Sequence, residues 1–226
     1  MKLCFLGTGA ADWPLVRWEN MEEFRRLSSS LVDDVLLIDP GKQAIEALTT
    51  YGKNAGNIRY IINTHKHPDH FNQSTVDELE KLGAEFVGFS HGDIKTLGKY
   101  TVRAYRANHS TCEGTVHYII SDGEKTLFYG LDGAWLMFEE VQGIKEFKPD
   151  LAVLDATIGD IDGDYRIFEH NNLNMIIEMQ KTLAPYVGRF AVSHMARTLH
   201  EPQAGIEARM KPYNILVAYD GLEIEI

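Results

Sequence analysis

Apolar and polar positions follow two kinds of pattern along the chain. Short apolar runs rich in β-branched and aromatic residues predict strands, and segments with apolar residues at helical spacing predict helices. The predicted strands cover residues 2–8, 28–33, 35–39, 58–63, 85–89, 100–107, 115–121, 125–129, 150–155, 190–193, 214–219 and 222–226. The predicted helices cover residues 43–51, 75–82, 135–146, 172–184 and 203–211. The first half is therefore rich in strands, whereas strands and helices alternate in the second half.

This order of elements limits the fold class. It suits an α/β or α+β protein in which two sheets pack together with helices outside. At 226 residues, the chain is predicted to form one domain over residues 1–226. Asp122-Gly123 predicts a hairpin turn, and Asp220-Gly221 predicts a second hairpin between the last two strands. Residues 75–78 (Thr-Val-Asp-Glu) fit a capping box that opens the helix 75–82.

Charge and cysteine content narrow the class of partner. The formal net charge of −11 at pH 7 and the pI near 5.2 oppose a broad electrostatic grip on nucleic acid. The two cysteines, Cys4 and Cys112, provide no disulfide framework, which fits a reducing cytoplasm. The N-terminal apolar run is too short for a signal peptide or a membrane span, so we expect a cytoplasmic protein without a membrane partner. Whether the chain forms a homodimer stays open at this stage.

The strongest chemical signal is the stretch Thr-His-Lys-His-Pro-Asp-His at residues 64–70, directly after the strand predicted at 58–63. Its donors are His65, His67, Asp69 and His70. The first two histidines lie two residues apart in extended chain and project to the same side. Pro68 then turns the chain, so that the other two donors face the same point. Nitrogen and oxygen donors that converge in this way are typical ligands of zinc and similar cations.

Three further donors follow predicted strands later in the chain. They are His109 after the strand 100–107, Asp132 after the strand 125–129, and His194 after the strand 190–193. Polar residues just past the carboxyl ends of strands can project into a shared crevice. Each of these residues alone is weak evidence for a metal site, because a single histidine in a turn is usually solvated or hydrogen-bonded and Asp-Gly usually forms a turn.

Taken together, these residues resemble the ligand set of the metallo-β-lactamase superfamily, whose signature is His-x-His-x-Asp-His. The resemblance implies an αββα sandwich of two mixed β-sheets with helices on the outer faces. It assigns one divalent metal to His65, His67 and His109 and a second to Asp69, His70 and His194, with Asp132 as the bridge. Zinc is the first expectation for this pair of metals, with manganese and iron as alternatives.

A pair of divalent cations suits hydrolysis of a phosphodiester. Metal binding lowers the pKa of water to about 7, and two metals can hold both the attacking and the leaving oxygen of an in-line displacement. Two cations, two carboxylates and one hydroxide leave the centre with a charge of roughly +1, which attracts a small anionic substrate. Asp69 is assigned a catalytic role in addition to its role as a ligand.

The second half of the chain resembles one branch of that superfamily, the phosphoribosyl cyclic phosphate phosphodiesterases of bacterial phosphonate breakdown. The resemblance lies in Leu-Asp-Ala at 154–156, His-Asn-Asn-Leu-Asn at 170–174, Ser-His-Met at 193–195 and Tyr-Asp-Gly-Leu-Glu-Ile at 219–224. It implies that His170 is a catalytic residue that protonates the leaving group. From the residues alone, the same stretch suits an ordinary helix N-terminus capped by Asn171 equally well. Residues 10–30 contain no cysteine, so the cysteine-based structural zinc of that branch is predicted to be absent.

The sequence therefore predicts a metal-dependent hydrolase, foremost a phosphodiesterase that acts on a small phosphodiester, cyclic or open. Hydrolysis of a lactone or thioester is the main alternative, because hydroxide also attacks carbonyl groups. Processing of tRNA 3′ ends is less favoured, because the chain is acidic and has no segment for a protruding substrate arm.

Two hypotheses other than hydrolysis fit the sequence less well. A diiron oxygen reductase of the same fold carries an acidic residue where His67 stands and needs a flavin domain. A non-catalytic metal-binding protein would tolerate lost ligands, and none is lost. Arg197 and His200 are the candidates for substrate binding at the rim of the pocket, whereas His91 and His117 are interpreted as structural.

Overall fold

The computed structural model describes residues 1–226, which form thirteen strands and five α-helices. The strands are β1 (Lys2–Gly7), β2 (Ser29–Val32), β3 (Leu36–Ile38), β4 (Tyr60–Ile62), β5 (Glu85–Phe86), β6 (Ile94–Leu97), β7 (Tyr100–Arg106), β8 (Val116–Ser121), β9 (Thr126–Gly130), β10 (Leu151–Asp155), β11 (Arg189–Ser193), β12 (Ile215–Val217) and β13 (Glu223–Glu225). The helices are α1 (Ala44–Thr50), α2 (Gln73–Lys81), α3 (Phe138–Phe147), α4 (Leu173–Leu183) and α5 (Gln203–Met210). None of these helices has the length and apolar content that crossing a membrane requires.

The strands form two mixed sheets. One has six strands in the order β13-β1-β2-β3-β4-β5, and the other has seven in the order β12-β11-β10-β9-β8-β7-β6. In the first sheet β1 and β2 are antiparallel while β3 and β4 are parallel. In the second sheet β7, β8 and β9 are antiparallel neighbours while β9, β10 and β11 are parallel.

Three apolar cores define the layers. Successive side chains of a strand point to opposite faces. In β10, Leu151 and Val153 therefore belong to the core between the sheets, while Ala152 and Leu154 belong to the core beneath α3, α4 and α5. The outer face of the six-stranded sheet is covered in the same way by α1 and α2. The predicted αββα sandwich of two mixed sheets is confirmed.

Two predicted local features are wrong. The last two strands do not form a hairpin, because β12 pairs with β11 in one sheet and β13 pairs with β1 in the other. The turn between them crosses from sheet to sheet, and the Asp220 carboxylate holds it by accepting hydrogen bonds from the Thr8 and Arg26 backbone N–H groups at 2.9 and 2.6 Å. The helix predicted at 75–82 begins at Gln73 instead, because Asn72 is the N-cap and accepts from the Thr75 N–H at 3.1 Å.

Strand directions bring several strand ends to one edge of the seven-stranded sheet. β9, β10 and β11 are parallel, and β7 points the same way because both β7 and β9 are antiparallel to β8. The loop after β4 of the other sheet joins this edge, where the Val116 N–H donates to the Thr64 carbonyl at 3.0 Å. Residues that follow β4, β7, β9, β10 and β11 therefore meet in one place.

Candidate metal centre

The four donors of residues 65–70 lie in a tight turn directly after β4. The His70 N–H donates to the His67 carbonyl at 3.0 Å, which folds the stretch back on itself. Its entry is fixed by Asp39 at the end of β3, whose carboxylate accepts from the Thr64 N–H at 2.7 Å and from the Thr64 hydroxyl at 2.9 Å. The turn thus faces the edge of the seven-stranded sheet.

One group of donors contains His65, His67, His109 and Asp132. One ligand atom of each lies within 4.8 Å of the corresponding atoms of the others. His109 Nε2 is 3.2 Å from His67 Nδ1, and His65 Nε2 is 3.0 Å from Asp132 Oδ2. These are the three histidines that the sequence assigns to one metal, together with the assigned bridge.

A second group contains Asp69, His70, His194 and the same Asp132, again with ligand atoms within 4.8 Å of one another. His70 Nε2 is 3.0 Å from Asp132 Oδ2 and 3.0 Å from His194 Nε2. His194 Nε2 is 3.3 Å from Asp69 Oδ2. The structure therefore brings all seven predicted ligands together, with Asp132 common to both groups.

The residues present fit a pair of divalent cations. Asp132 Oδ1 and His65 Nε2 are buried. Each lies 3.0 Å from a neighbouring donor or acceptor, His194 Nδ1 and Asp132 Oδ2 respectively, but neither contact has hydrogen-bond geometry, and an unsatisfied polar atom in the interior is costly. Imidazole nitrogens and carboxylate oxygens that converge at such distances are the donor set of zinc and related metals. A cation in each group would give these atoms the partners that they lack.

Three residues at or beside the centre have a strained backbone conformation. Asp39, Asp132 and His194 have φ angles of 60°, 59° and 62°, in the left-handed region that non-glycine residues rarely adopt. Such conformations cost of order 1 kcal/mol each and persist where the surroundings hold them. Asp39 and His194 directly follow β3 and β11, and Asp132 lies two residues past the end of β9. The left-handed turns direct Asp132 and His194 at the centre and Asp39 at the outer nitrogen of His70.

The outer ring nitrogens are hydrogen-bonded in a common pattern. Four histidines direct Nε2 into the centre and hydrogen-bond through Nδ1, and the Nδ1 of His194 also lies 3.0 Å from Asp132 Oδ1. Their outer partners are Thr64 Oγ1 for His65 (3.0 Å), Asp39 Oδ2 for His70 (3.0 Å), the Glu169 carbonyl oxygen for His109 (3.3 Å) and Thr157 Oγ1 for His194 (2.6 Å). Such partners fix the ring orientation and the tautomer of metal-binding histidines.

Protonation is largely suited to metal binding. Burial opposes ionisation of Asp69 and Asp132, but neighbouring imidazoles outweigh it and hold the pKa of both carboxyls below the usual range. Burial lowers the pKa of His65 to about 4, so this ring is neutral at physiological pH. Burial also disfavours the charged form of His70, yet the Asp132 carboxylate and its neighbours raise the pKa of that ring. A metal must therefore displace a proton from His70.

His170 lies beside both groups without being one of the predicted ligands. Its Nδ1 is 2.9 Å from Asp155 Oδ2, 3.1 Å from Thr157 Oγ1 and 3.4 Å from Asp132 Oδ1. Burial disfavours its charged form, but the Asp155 and Asp132 carboxylates outweigh burial and raise the pKa of His170 to about 9. The cap of α4 is Asn172, which accepts from the Met175 N–H at 2.8 Å, so Asn171 does not cap this helix.

Four residues that support the donors were not predicted as site residues from the sequence. They are Asp39, Asp155, Thr157 and Glu169. Asp39 and Asp155 follow or end apolar strands, so the rule that identified His194 also applies to them. No sequence signal identifies the other two, because their role depends on the loops that the fold brings against them.

A cavity of about 350 Å³ opens on the centre. Its wall includes predicted ligands from both groups and His170. Arg197 and His200 line a neighbouring cavity of about 230 Å³ instead, where the His200 Nε2 faces the Ala156 carbonyl. His117 is buried against the carboxylate of Glu140, which agrees with its structural interpretation.

Known proteins share the fold of this chain and part of its sequence pattern. The sequence profile of the Metallo-beta-lactamase superfamily matches residues 26–91, which include the His-x-His-x-Asp-His stretch. No curated protein matches the sequence. Among solved structures, Zn(2+)-bound PqqB from Methylobacterium extorquens has a TM-score of 0.76 at 16% identity, and the match covers 100% of both chains.

Two further solved structures share the architecture. A diphosphatase from the PhnP family has a TM-score of 0.72 at 18% identity, covering 100% of this chain and 97% of that one. The short form of human tRNase Z has a TM-score of 0.68 at 19% identity, covering 100% of this chain and 99% of that one. At these identities the likeness is one of fold. The chain therefore has the metallo-β-lactamase fold, and its residues 26–91 match the sequence profile of that superfamily.

Proposed function

We propose that this protein is a metal-dependent hydrolase that cleaves a small phosphodiester, cyclic or open. The observation that carries the proposal is the pair of donor groups that share Asp132, with the imidazole of His170 beside them. Binding of metal alone would not need an additional imidazole that faces the same cavity.

The metal ligands would be His65, His67 and His109 on one side and Asp69, His70 and His194 on the other, with Asp132 between. Bound divalent cations would lower the pKa of a water molecule and stabilise charge on phosphoryl oxygens. We propose zinc as the resident metal, because histidine-rich sites of this kind suit it and because the PqqB structure of the same fold is Zn(2+)-bound.

The residues around the centre would position the substrate and donate one proton to its leaving group. His170 Nδ1 is engaged by Asp155 and Thr157, which leaves Nε2 as the nitrogen that can meet a substrate. The Asp155 carboxylate beside Nδ1 would favour the protonated ring. His170 would therefore donate a proton to the departing oxygen as its bond to phosphorus breaks.

Charge and cavity size support a small phosphodiester over larger or neutral substrates. A cavity of about 350 Å³ suits a small molecule, and a dinuclear cation centre attracts an anion. A diphosphatase from the PhnP family has the same fold, which supports a phosphate-containing substrate over a lactone or thioester. The short form of human tRNase Z has the same fold, but we do not propose tRNA as the substrate of this protein. Its net charge of −11 opposes binding of a polyanion.

The proposal is tested with metal-loaded protein and two substrate panels. The first contains bis(p-nitrophenyl) phosphate and ribonucleoside 2′,3′-cyclic phosphates, and the second contains aliphatic lactones and thioesters. We expect hydrolysis of the first panel that a chelator abolishes and added zinc or manganese restores. Asp132→Ala should abolish it, whereas Asp77→Ala, a matched change on the exposed face of α2, should not. Turnover of the second panel alone would replace the proposal with carbonyl-ester hydrolysis.

A further inference from the structure

The wall of the metal cavity has little positive charge of its own. Beyond the predicted ligands and His170, its charged side chains are Asp12, Arg166 and Glu169. The Arg166 guanidinium is already paired with Asp164, whose carboxylate accepts from Nε at 2.8 Å and from Nη2 at 2.6 Å. Arg166 is therefore the only cationic side chain of the wall outside the histidines, and its charge is largely balanced.

The two acidic side chains of the wall are held in place. The Asp12 carboxylate accepts from the Arg197 and Thr198 N–H groups at 2.7 and 2.9 Å. The Glu169 carboxylate accepts from the Thr111 N–H and hydroxyl, each at 3.1 Å. Both carboxylates therefore stay beside the cavity, where they repel a second anionic group on a bound molecule.

An aromatic ring stands at the edge of the same cavity. Tyr165 lines the cavity and is 79% exposed. It begins the 3₁₀ segment Tyr165–Phe168, which Asp164 caps by accepting from the Arg166 N–H at 2.8 Å. Residues three apart in a 3₁₀ turn share one face, so Phe168, which is 74% exposed, lies on the same face of the turn as Tyr165. A fixed turn that exposes two rings is a suitable stacking surface for a flat molecule.

We infer that the cavity selects a phosphodiester that carries one phosphate group and a flat uncharged ring, such as a nucleobase, stacked on Tyr165. The metals would take the single phosphate, the ring would cover Tyr165, and a second phosphate would meet the carboxylates of Asp12 and Glu169. This inference rests on the proposed function for the scissile bond. It adds the part of the substrate that does not react, and the residues that recognise that part.

Equilibrium binding to zinc-loaded protein tests the inference without turnover. The ligands are adenosine 3′-monophosphate, adenosine 3′,5′-bisphosphate and ribose 5-phosphate, measured by isothermal titration calorimetry. We expect the adenosine monophosphate to bind about tenfold more tightly than either of the others, because the bisphosphate adds repulsion and the ribose phosphate lacks the ring.

Variants separate the two parts of the inference. Tyr165→Ala should weaken binding of the adenosine monophosphate about tenfold and leave ribose phosphate unchanged, while Tyr165→Phe keeps wild-type binding. Tyr219→Ala, an exposed tyrosine outside this cavity, is the matched control. Ala11→Lys adds a cation to the wall and should strengthen binding of the bisphosphate selectively, whereas Thr96→Lys on β6 should not.

Hydrolysis of bis(p-nitrophenyl) phosphate, measured in parallel, separates failure of the inference from failure of the proposed function. If that ester is cleaved but the bisphosphate binds as tightly as the monophosphate, or if Tyr165→Ala weakens all three ligands equally, the inference is wrong and the phosphodiesterase proposal stands. If the ester is not cleaved while the binding preferences hold, the recognition surface is supported and the reaction is wrong.

Discussion

Replacement of His170 tests the proton donor of the proposed hydrolysis. The ring contacts Asp155 and Thr157 through Nδ1, so only Nε2 is free to protonate a leaving group. General acid catalysis contributes about 10² to 10⁴ in rate, which corresponds to about 3 to 5 kcal/mol of transition-state stabilisation. We expect His170→Ala to lose this factor in kcat for a ribonucleoside 2′,3′-cyclic phosphate, whose departing ribose oxygen is strongly basic.

A second substrate supplies the comparison within the same enzyme. p-Nitrophenolate leaves without protonation, so His170→Ala should lose less than about tenfold on bis(p-nitrophenyl) phosphate. Rates are measured at saturating substrate on both esters, with metal content determined for each preparation. His91→Ala, an exposed histidine outside the cavity, should change neither rate.

Three results would contradict or change the proposed role of His170. Equal losses on the two esters with unchanged metal content would show that His170 does not act as the acid. Full activity on the cyclic ester would remove His170 from the mechanism altogether. A fall in bound metal would instead make His170 part of the metal site, since its Nδ1 lies 3.4 Å from Asp132 Oδ1.

Two further predictions concern groups away from the centre. Burial opposes ionisation of Asp33, but hydrogen bonds from Lys99 and Tyr100 outweigh burial and lower the pKa of this carboxyl. The ionised carboxylate therefore stabilises the fold above about pH 4, and this stabilisation is lost as the pH falls through the folded-state pKa. Asp33→Asn should therefore cost about 1 kcal/mol of unfolding free energy at neutral pH, and a urea-denaturation difference that persists at about pH 2 would contradict this. Burial raises the pKa of the Cys4 thiol to about 11. Iodoacetamide at about pH 8 should therefore alkylate the half-buried Cys112 and spare Cys4 until the chain unfolds. Mass spectrometry that finds both cysteines labelled in the folded protein would refute this prediction.

The convergence of the seven predicted ligands could be foreseen because their sequence signals are local. The stretch 64–70 carries four donors within one turn, and His109, Asp132 and His194 each stand just past an apolar strand. Parallel strands align their carboxyl ends at one edge, so a rule about single strands also predicts which residues meet. The same rule applies to Asp39 and Asp155, which the sequence analysis did not use as site residues.

The remaining features depend on contacts between distant segments. Asp220-Gly221 has the chemistry of a hairpin turn, and nothing local distinguishes a hairpin from a crossing between sheets. The choice is made by Thr8 and Arg26, which donate to Asp220 from another part of the chain. Glu169 similarly acquires its role from the loop at Thr111, which is remote in sequence. Such pairings need the folded structure.

We propose that seven side chains from distant parts of the chain hold a pair of divalent cations. Metal content of zinc-reconstituted protein, measured by inductively coupled plasma mass spectrometry after removal of free metal, tests it directly. We expect about two ions per wild-type chain, and fewer than about one for Asp132→Ala, because that carboxylate is common to both donor groups. A folded wild-type protein that retains no metal, or an Asp132→Ala variant that retains as much as the wild type, would contradict the assignment.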